Sequence, residues 1–259
     1  MRIPLYQIDA FTGRLFRGNP AAVCPLEEWL EDEQMQAIAA ENNLSETAFF
    51  VRRGEGYQLR WFTPKVEVDL CGHATLASAF VILSYLEPAR EEVRFETRSG
   101  ELVVRRNGDL LAMDFPAREP WRCECPVTLS QALGKPPLEV WEARDYMAVY
   151  ESEDEVRALA PDMGALVVVG HFAVIVTAPG READFVSRFF APAAGVPEDP
   201  VTGSAHCTLV PYWARRLGKT QLQARQVSAR GGELFCVYRG ERVTIAGRAV
   251  RYLEGTIHL

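Results

Sequence analysis

The residue types best suited to proton transfer in this chain are a glutamate, a histidine and an aspartate. Glu46 opens the apolar segment 47–51, His73 follows Cys71-Gly72, and Asp199 precedes a second glycine-containing segment. A partly desolvated carboxylate can take and return a proton near neutral pH, and histidine can shuttle protons in the same range. The residues alone also allow a surface glutamate at a strand end, a histidine at a helix start and an aspartate near a helix cap.

His73 and Asp199 lie in two stretches that show the same order of features. The first reads RWFTP at 60–64 and DLCGHAT at 69–75, and the second reads RFFAP at 188–192 and DPVTGSAH at 199–206. Each is an aromatic strand ending in proline, then an acidic loop, a glycine and an apolar helix. The distance from aromatic residue to glycine is ten positions in the first copy and thirteen in the second, which indicates a three-residue insertion. This duplication predicts two similar halves.

The glycines of the two stretches, Gly72 and Gly203, stand where the apolar helices are expected to begin. The first backbone N–H groups of a helix lack intrahelical partners, and the helix dipole adds positive potential there. Gly72-His73 and Gly203-Ser204 would therefore attract an anion, and a small carboxylate is the natural candidate. The alternative is that both glycines only permit tight strand-to-helix turns.

The bulk composition excludes several classes of protein. The chain has 259 residues, 48% hydrophobic and 24% charged, with a net charge of −7, which argues against binding to nucleic acid or anionic membranes. Residues 1–6 lack the features of a signal peptide, and the longest apolar run is too short to span a bilayer. Six scattered cysteines without a secretion signal indicate reduced thiols and a cytoplasmic protein.

The remaining pattern predicts an α+β protein built from short strands and a few helices. Two helices with few polar residues are expected from about 73 to 85 and from 203 to 217. Because proline lacks an N–H group, we expect a kink or the local loss of one hydrogen bond at Pro211 in the second. Short apolar segments predict strands, including one at 165–169, and two separate strands are expected at 249–253 and 256–259.

Four motifs in order resemble the PhzF-like family of phenazine-biosynthesis isomerases. They are GNP at 18–20, NLSETA at 43–48, CGHAT at 71–75 and EDPVTGSAH at 198–206. The resemblance covers essentially the whole chain and implies the diaminopimelate epimerase fold. In that fold two similar domains each wrap a curved, mostly antiparallel sheet round a central helix, with the active site in the cleft between them. The implied division is 1–115 plus the C-terminal strand 250–259 against 116–249, and a homodimer is the family-level expectation.

The resemblance also implies roles for individual residues. Glu46 matches the acid/base glutamate of the family, and His73 and Asp199 match active-site positions. Further residues are candidates for binding the substrate, the two glycines through the helix starts and the others through side-chain hydrogen bonds: Gly72, Gly203, Asn19, Ser45 and Ser204.

Cys71 marks a departure from the related epimerases that use two thiols. The position of the second thiol is occupied by Thr202, whose hydroxyl does not ionise usefully near neutral pH, so a symmetric two-thiol racemase is not expected. No dinucleotide or phosphate-loop motif is present, and a set of His73, His206 and Cys71 or Cys207 matches no metal-ligand spacing. We therefore predict no cofactor and no metal.

These observations predict a cofactor-independent isomerase that moves a proton on a small cyclic or amino carboxylate. Glu46 would carry the proton, assisted by His73 and Asp199. Two alternatives stay open at this point: an amino-acid racemase or epimerase that uses Cys71 as one base, and a non-catalytic protein that binds a small metabolite.

Overall fold

The structure, a computed structural model, describes residues 1–259 and divides into two compact units. The first comprises Met1–Asp114 and Ala246–Leu259, and the second comprises Phe115–Ile245. The strands in chain order are β1 (Arg2–Ala10), β2 (Asn19–Leu26), β3 (Glu46–Arg53), β4 (Gly56–Phe62), β5 (Glu67–Val68), β6 (Glu92–Thr97), β7 (Gly100–Asn107), β8 (Leu110–Pro116), β9 (Trp121–Cys123), β10 (Glu139–Glu142), β11 (Tyr146–Val149), β12 (Val174–Pro179), β13 (Phe185–Phe190), β14 (Gln221–Gln226), β15 (Gly232–Tyr238), β16 (Arg242–Gly247) and β17 (Ala249–His258). The helices are α1 (Asp32–Asn42), α2 (Gly72–Val81), α3 (Val127–Leu133), α4 (Glu153–Ala158), α5 (Met163–Leu166) and α6 (Gly203–Leu217).

The two units share one order of strand directions. In the first unit β17, β1 and β2 are antiparallel neighbours, β3 lies parallel to β2, β4 antiparallel to β3, β6 parallel to β4, and β7 antiparallel to β6. In the second unit β9 to β15 repeat these directions, with β11–β12 and β13–β14 as the parallel neighbours. The aromatic strands β4 and β13 occupy equivalent places, so the duplication in the sequence is a duplication of topology.

Helix α2 forms the centre of the first unit, as its apolar sequence predicts. It packs against β1, β2, β3 and β17, and eight of its ten residues are buried. Two buried hydroxyl groups bond to the helix itself: Thr75 Oγ1 donates to the carbonyl of Cys71 at 2.6 Å, and Ser78 Oγ donates to that of Ala74 at 2.8 Å. These bonds satisfy polar groups that would otherwise be buried without partners. A π-helical turn, Ile82–Leu86, continues the helix.

Helix α6 is the corresponding helix of the second unit and contains Pro211. Proline has no N–H to donate to the carbonyl four residues earlier, which is that of Cys207. The backbone N–H of Arg118 donates to this carbonyl at 2.9 Å and replaces the missing bond. The helix therefore runs as one element from Gly203 to Leu217.

The predicted α+β class is confirmed, and two details of the prediction are wrong. The segment 165–169 is not a strand, because Asp162 caps a helix there by accepting a hydrogen bond from the N–H of Ala165 at 3.0 Å. The two expected C-terminal strands are one strand, β17, because it pairs with β1 along its length and Gly255 lies opposite Leu5 without a break. No helix is both long enough and apolar enough to cross a membrane.

Candidate active site

The first unit brings five of the predicted site residues into one cluster. Glu46 begins β3 and Asn19 begins β2, and these parallel strands place Ala21 opposite Glu46. Ser45 immediately precedes β3, and Cys71 and His73 lie at the start of α2. The cluster therefore forms where two strand starts meet the first turn of the central helix.

Two turns with left-handed backbone set these strand starts. Helix α1 ends with Asn43 at φ 48°, as asparagine permits, and three residues later β3 begins at Glu46. Before β2, Gly18 has φ 66°, and a Cβ atom there would lie 2.1 Å from the carbonyl oxygen of Ala10. Only glycine fits this turn, which leads directly to Asn19.

His73 lies at the centre of the cluster and is buried. Its Nδ1 is 3.2 Å from the amide nitrogen of Asn19 and 3.5 Å from the sulfur of Cys71. On the other side of the ring, its Nε2 is 3.1 Å from Oε2 of Glu46. The approach of Nε2 and Oε2 is close but not aligned for a hydrogen bond, and both atoms are buried without a hydrogen-bond partner. Buried unpartnered polar atoms are uncommon, and a ligand or a water molecule at that place is one explanation for them.

The ionisation of this cluster is governed by burial and by its own charges. Burial raises the pKa of the Cys71 thiol to about 11, and the Glu46 carboxylate adds to the rise. Burial lowers the pKa of His73, while the Cys71 sulfur and the Glu46 carboxylate raise it, and the net direction is upward. The Cys71 contribution requires a thiolate, and burial keeps this thiol protonated near neutral pH. The upward direction therefore includes a thiolate that is not populated at that pH; without it, burial, the largest single influence, opposes a charge on His73 and only the Glu46 carboxylate favours one.

The second unit holds Asp199 in a separate network at the start of α6. The backbone N–H of Asp199 donates to the carbonyl of Phe189 at 3.0 Å, and its carboxylate accepts a hydrogen bond from the Thr202 hydroxyl. The Thr202 hydroxyl thus holds the Asp199 carboxylate.

Gln226 organises this network and was missed by the sequence analysis. Its buried side chain accepts from the N–H of Thr202 at 2.8 Å and donates to the carbonyl of Asp199 at 2.7 Å. Nothing in the sequence marks Gln226, because it arrives from β14, far along the chain. The only available signal is the alternation of β14, QLQARQ, in which Leu222, Ala224 and Gln226 share the buried face.

The helix starts at Gly72 and Gly203 lack side-chain caps. The cap positions Cys71 and Thr202 have extended backbone, and neither side chain bonds to the first turn as a cap. Ser204, on the first turn of α6, lies within 3.4 Å of the Arg144 guanidinium. Each unit therefore has an N-terminal helix turn with free capacity for an anionic group.

A repeated arginine supports each acidic loop. Arg60 in β4 donates to both carboxylate oxygens of Glu67 at 2.7 and 2.8 Å, and Arg188 in β13 does the same to Glu198 at 2.8 and 3.0 Å. Such two-point bonds fix geometry more firmly than a single contact. The two halves thus share an arginine–glutamate pair ahead of each central helix.

The remaining histidines take structural roles. His206 donates from Nδ1 to the carbonyl of Thr202 at 2.8 Å, and burial lowers its pKa to about 4. His171 lies stacked on Tyr146 with ring centroids 3.8 Å apart.

Glu46, Cys71 and His73 also offer one ligand atom each within 4.8 Å of one another, which are the donor types that zinc accepts. The amide nitrogen of Asn19 lies 3.2 Å from Nδ1 of His73, so Nε2 is the ring nitrogen that is left for a further ligand. A metal ion displaces the proton of the ring nitrogen that it binds, so these three side chains have the chemistry for a metal ion as well as for proton transfer.

The fold and the two repeated helix starts define a protein of the diaminopimelate epimerase-like class. A hydroxyproline epimerase from Agrobacterium vitis shares this fold, with TM-score 0.62 at 10% identity over 99% of this chain and 92% of that chain. The family model described as phenazine biosynthesis-like protein matches residues 8–255. The chain belongs to this family, whose members include isomerases.

Similarity to individual members extends over the full length. An uncharacterized isomerase of Pseudomonas aeruginosa is 58% identical over 259 residues, covering 100% of both chains. The crystal structure of a PhzF-family phenazine biosynthesis protein from Enterococcus faecalis has a TM-score of 0.98 and 47% identity, again covering 100% of both chains. The chain is accordingly an enzyme of the isomerase class.

Proposed function

We propose that the chain is a cofactor-independent isomerase that moves a proton between carbon atoms of a small cyclic or amino carboxylate, with Glu46 as general acid and base. The observation that carries the proposal is the pair of buried, unpartnered atoms Glu46 Oε2 and His73 Nε2, 3.1 Å apart. A carboxylate held in this way has an oxygen without an aligned hydrogen bond from the protein, and this oxygen is available to a ligand.

The proposed step conserves protons and electrons. The Glu46 carboxylate takes a proton from a substrate carbon, and the electron pair of that C–H bond enters a π system conjugated with the substrate. The protonated Glu46 then returns its proton to another carbon as the π electrons form the new C–H bond. No oxidant, metal or organic cofactor is needed for this exchange.

The other predicted residues are assigned supporting roles in the same proposal. His73 donates a hydrogen bond from Nε2 to Glu46 or to the reacting substrate. Asp199, held by Thr202 and Gln226, binds a polar group of the substrate. The helix starts at Gly72 and Gly203, with Ser204, bind the carboxylate, whereas Ser45 acts through its hydrogen bond to Asn19.

A racemase that uses Cys71 as a base has less support. Its thiol has a pKa of about 11, so only a very small fraction is ionised near neutral pH. A thiol must be a thiolate to abstract a proton from carbon. Cys71 is better suited to pack beside His73 as a neutral side chain.

The test of this proposal measures carbon-bound deuterium. A panel of cyclic and amino carboxylates is incubated with the enzyme in D₂O, and each compound is analysed by mass spectrometry and proton NMR. Wild type should incorporate deuterium and form an isomer, and Glu46→Gln should lower the rate by about a hundredfold or more, the usual range for loss of an acid/base group. Glu41→Gln, an exposed change of equal charge, is the control and should leave the rate unchanged.

Two results would contradict the proposal. Equal deuterium uptake by wild type and Glu46→Gln would remove Glu46 from the chemistry. Tight binding of a panel member by wild type, measured by calorimetry, without any exchange of its carbon-bound protons would favour a metabolite-binding protein instead.

A further inference from the structure

We infer that Asn19 is a positioning residue whose amide fixes His73 as the neutral imidazole with its proton on Nε2, the nitrogen that faces Glu46. The inference rests on the proposed role of Glu46 as proton carrier. It replaces the sequence-based expectation that Asn19 binds the substrate directly.

The side chain of Asn19 lies between Ser45 and His73, with its NH₂ end toward the ring. The hydroxyl of Ser45 donates to Oδ1 of Asn19 at 3.3 Å, and Nδ2 of Asn19 lies 3.2 Å from Nδ1 of His73. The amide NH₂ group can only donate, so Nδ1 must accept and carries no proton. The single proton of a neutral ring then resides on Nε2.

Because both side chains are buried, the orientation of the Asn19 amide determines which nitrogen of His73 carries the proton. Asn19 is fully buried and His73 is nearly so. A wrongly paired donor in such a position loses a hydrogen bond that water does not replace. The same contact opposes a second proton on Nδ1, because two N–H groups would then face each other.

The position of the proton matters for catalysis because Nε2, on the opposite side of the His73 ring from Asn19, faces Glu46. A proton on Nε2 faces Oε2 of Glu46 across 3.1 Å, whereas the other tautomer would direct a lone pair at the carboxylate. The Ser45–Asn19–His73 chain therefore presents a neutral hydrogen-bond donor to Glu46. A neutral donor can assist Glu46 in both its ionised and its protonated state without changing its own charge.

The experiment reads the tautomer directly by NMR. The chain has only four histidines, so protein labelled with ¹⁵N-histidine gives a spectrum in which His73 is assigned by the signals lost in His73→Gln. Long-range ¹H–¹⁵N correlations distinguish a protonated from an unprotonated ring nitrogen. Wild type at pH 7 should show His73 protonated on Nε2 alone.

Two variants test the part played by Asn19. Asn19→Asp keeps the shape but places an acceptor at Nδ1, so His73 should become doubly protonated and its pKa should rise. Asn19→Leu removes the donor, so both tautomers should be populated and kcat should fall about tenfold or more, with a smaller change in KM. Asn42→Asp is the control, since the Asn42 amide bonds to Thr47 and not to the histidine.

Three outcomes would overturn the inference: a wild-type His73 protonated on Nδ1, a doubly protonated wild-type ring at pH 7, or an Asn19→Asp spectrum that matches wild type. Asn19→Asp keeps the test decisive if Asn19→Leu does not fold. The NMR result needs no turnover. If Glu46→Gln exchanges deuterium normally, the proposed function fails while the tautomer assignment is judged separately by the spectra.

Discussion

At the scale of single residues, the chemistry of the first unit depends on contacts between side chains that are far apart in sequence. Glu46 and His73 are ordinary residue types, and their special state comes from burial beside one another. The state of Cys71 also comes from burial, but here burial makes the side chain less reactive. It lies at the start of the central helix beside His73, but burial makes it a weak acid.

The reactivity of Cys71 follows from that pKa. Because the thiol has a pKa of about 11 and is buried, alkylation of the native protein at pH 7.5 should leave Cys71 unmodified while the exposed Cys125 reacts fully. Peptide mass spectrometry after timed treatment with iodoacetamide measures this. Protein unfolded in urea is the control, in which all six cysteines should react. Labelling of Cys71 as fast as Cys125 in the native protein would show that its thiolate is populated and would revive the racemase alternative.

At the scale of elements, the two halves use different strands to hold the residues beside the first turn of the central helix. In the first half, the strand starts of β2 and β3 hold the side chains beside α2. In the second half, β14 supplies Gln226, which fixes the backbone ahead of α6. The position of Asp199 therefore depends on a strand that follows the helix in the chain.

Gln226 is expected to matter for stability as well as for the site. Gln226→Leu removes the partner of the Thr202 N–H and of the Asp199 carbonyl in a buried position, which should lower the free energy of unfolding by about 2 kcal/mol. Gln226→Glu keeps the acceptor for Thr202 and should lose less. Urea denaturation followed by circular dichroism measures both.

The matched control for Gln226 is Gln221→Leu, an exposed position on the same strand. It should change the urea midpoint little. Equal midpoints for Gln226→Leu and Gln221→Leu would mean that the observed hydrogen bonds contribute nothing to the second unit.

At the scale of the whole molecule, one topology is used twice with different chemistry in each copy. The strand directions and the arginine–glutamate bonds repeat, whereas the titratable groups do not. The first copy carries Glu46, Cys71 and His73, and the second carries Asp199 and Thr202. The central helix of the second copy also carries His206, whose pKa is lowered by burial. Because the ring is buried and neutral, it affects the stability of the fold.

His206 should make the protein sensitive to acid. Its pKa is about 4 when folded and 6.5 in the unfolded chain, so the unfolded state takes up the proton first as pH falls. Stability is unaffected by this group above pH 6.5 and is lost between 6.5 and 4, by roughly 3 kcal/mol in total.

Urea denaturation of wild type and His206→Gln at pH 7.5 and 4.5 tests this dependence. The variant should start less stable, because it loses a buried hydrogen bond, but should lose less stability on acidification. His258→Gln, an exposed change, is the control and should behave as wild type. An identical loss on acidification in wild type and His206→Gln would contradict the assignment.

The sequence by itself determined the class of fold, the duplication and the family. These depend on local patterns: apolar periodicity, the glycines that begin α2 and α6, and four motifs read in order. It failed at 165–169, because a short apolar run fits a strand or a helix and a cap at Asp162 decided between them. It also divided β17 at Gly255, because pairing with a distant strand is not visible locally.

Only the tertiary structure decided how the candidate site is held together. Asn19, Ser45 and His73 form one hydrogen-bonded chain because β2, β3 and α2 meet, and Gln226 reaches Asp199 because β14 passes beside the start of α6. The pKa of Cys71 and that of His206 are likewise set by burial, which no residue type or spacing reports. Hydrogen bonds and desolvation act between neighbours in space, and for these residues the neighbours are distant in the chain.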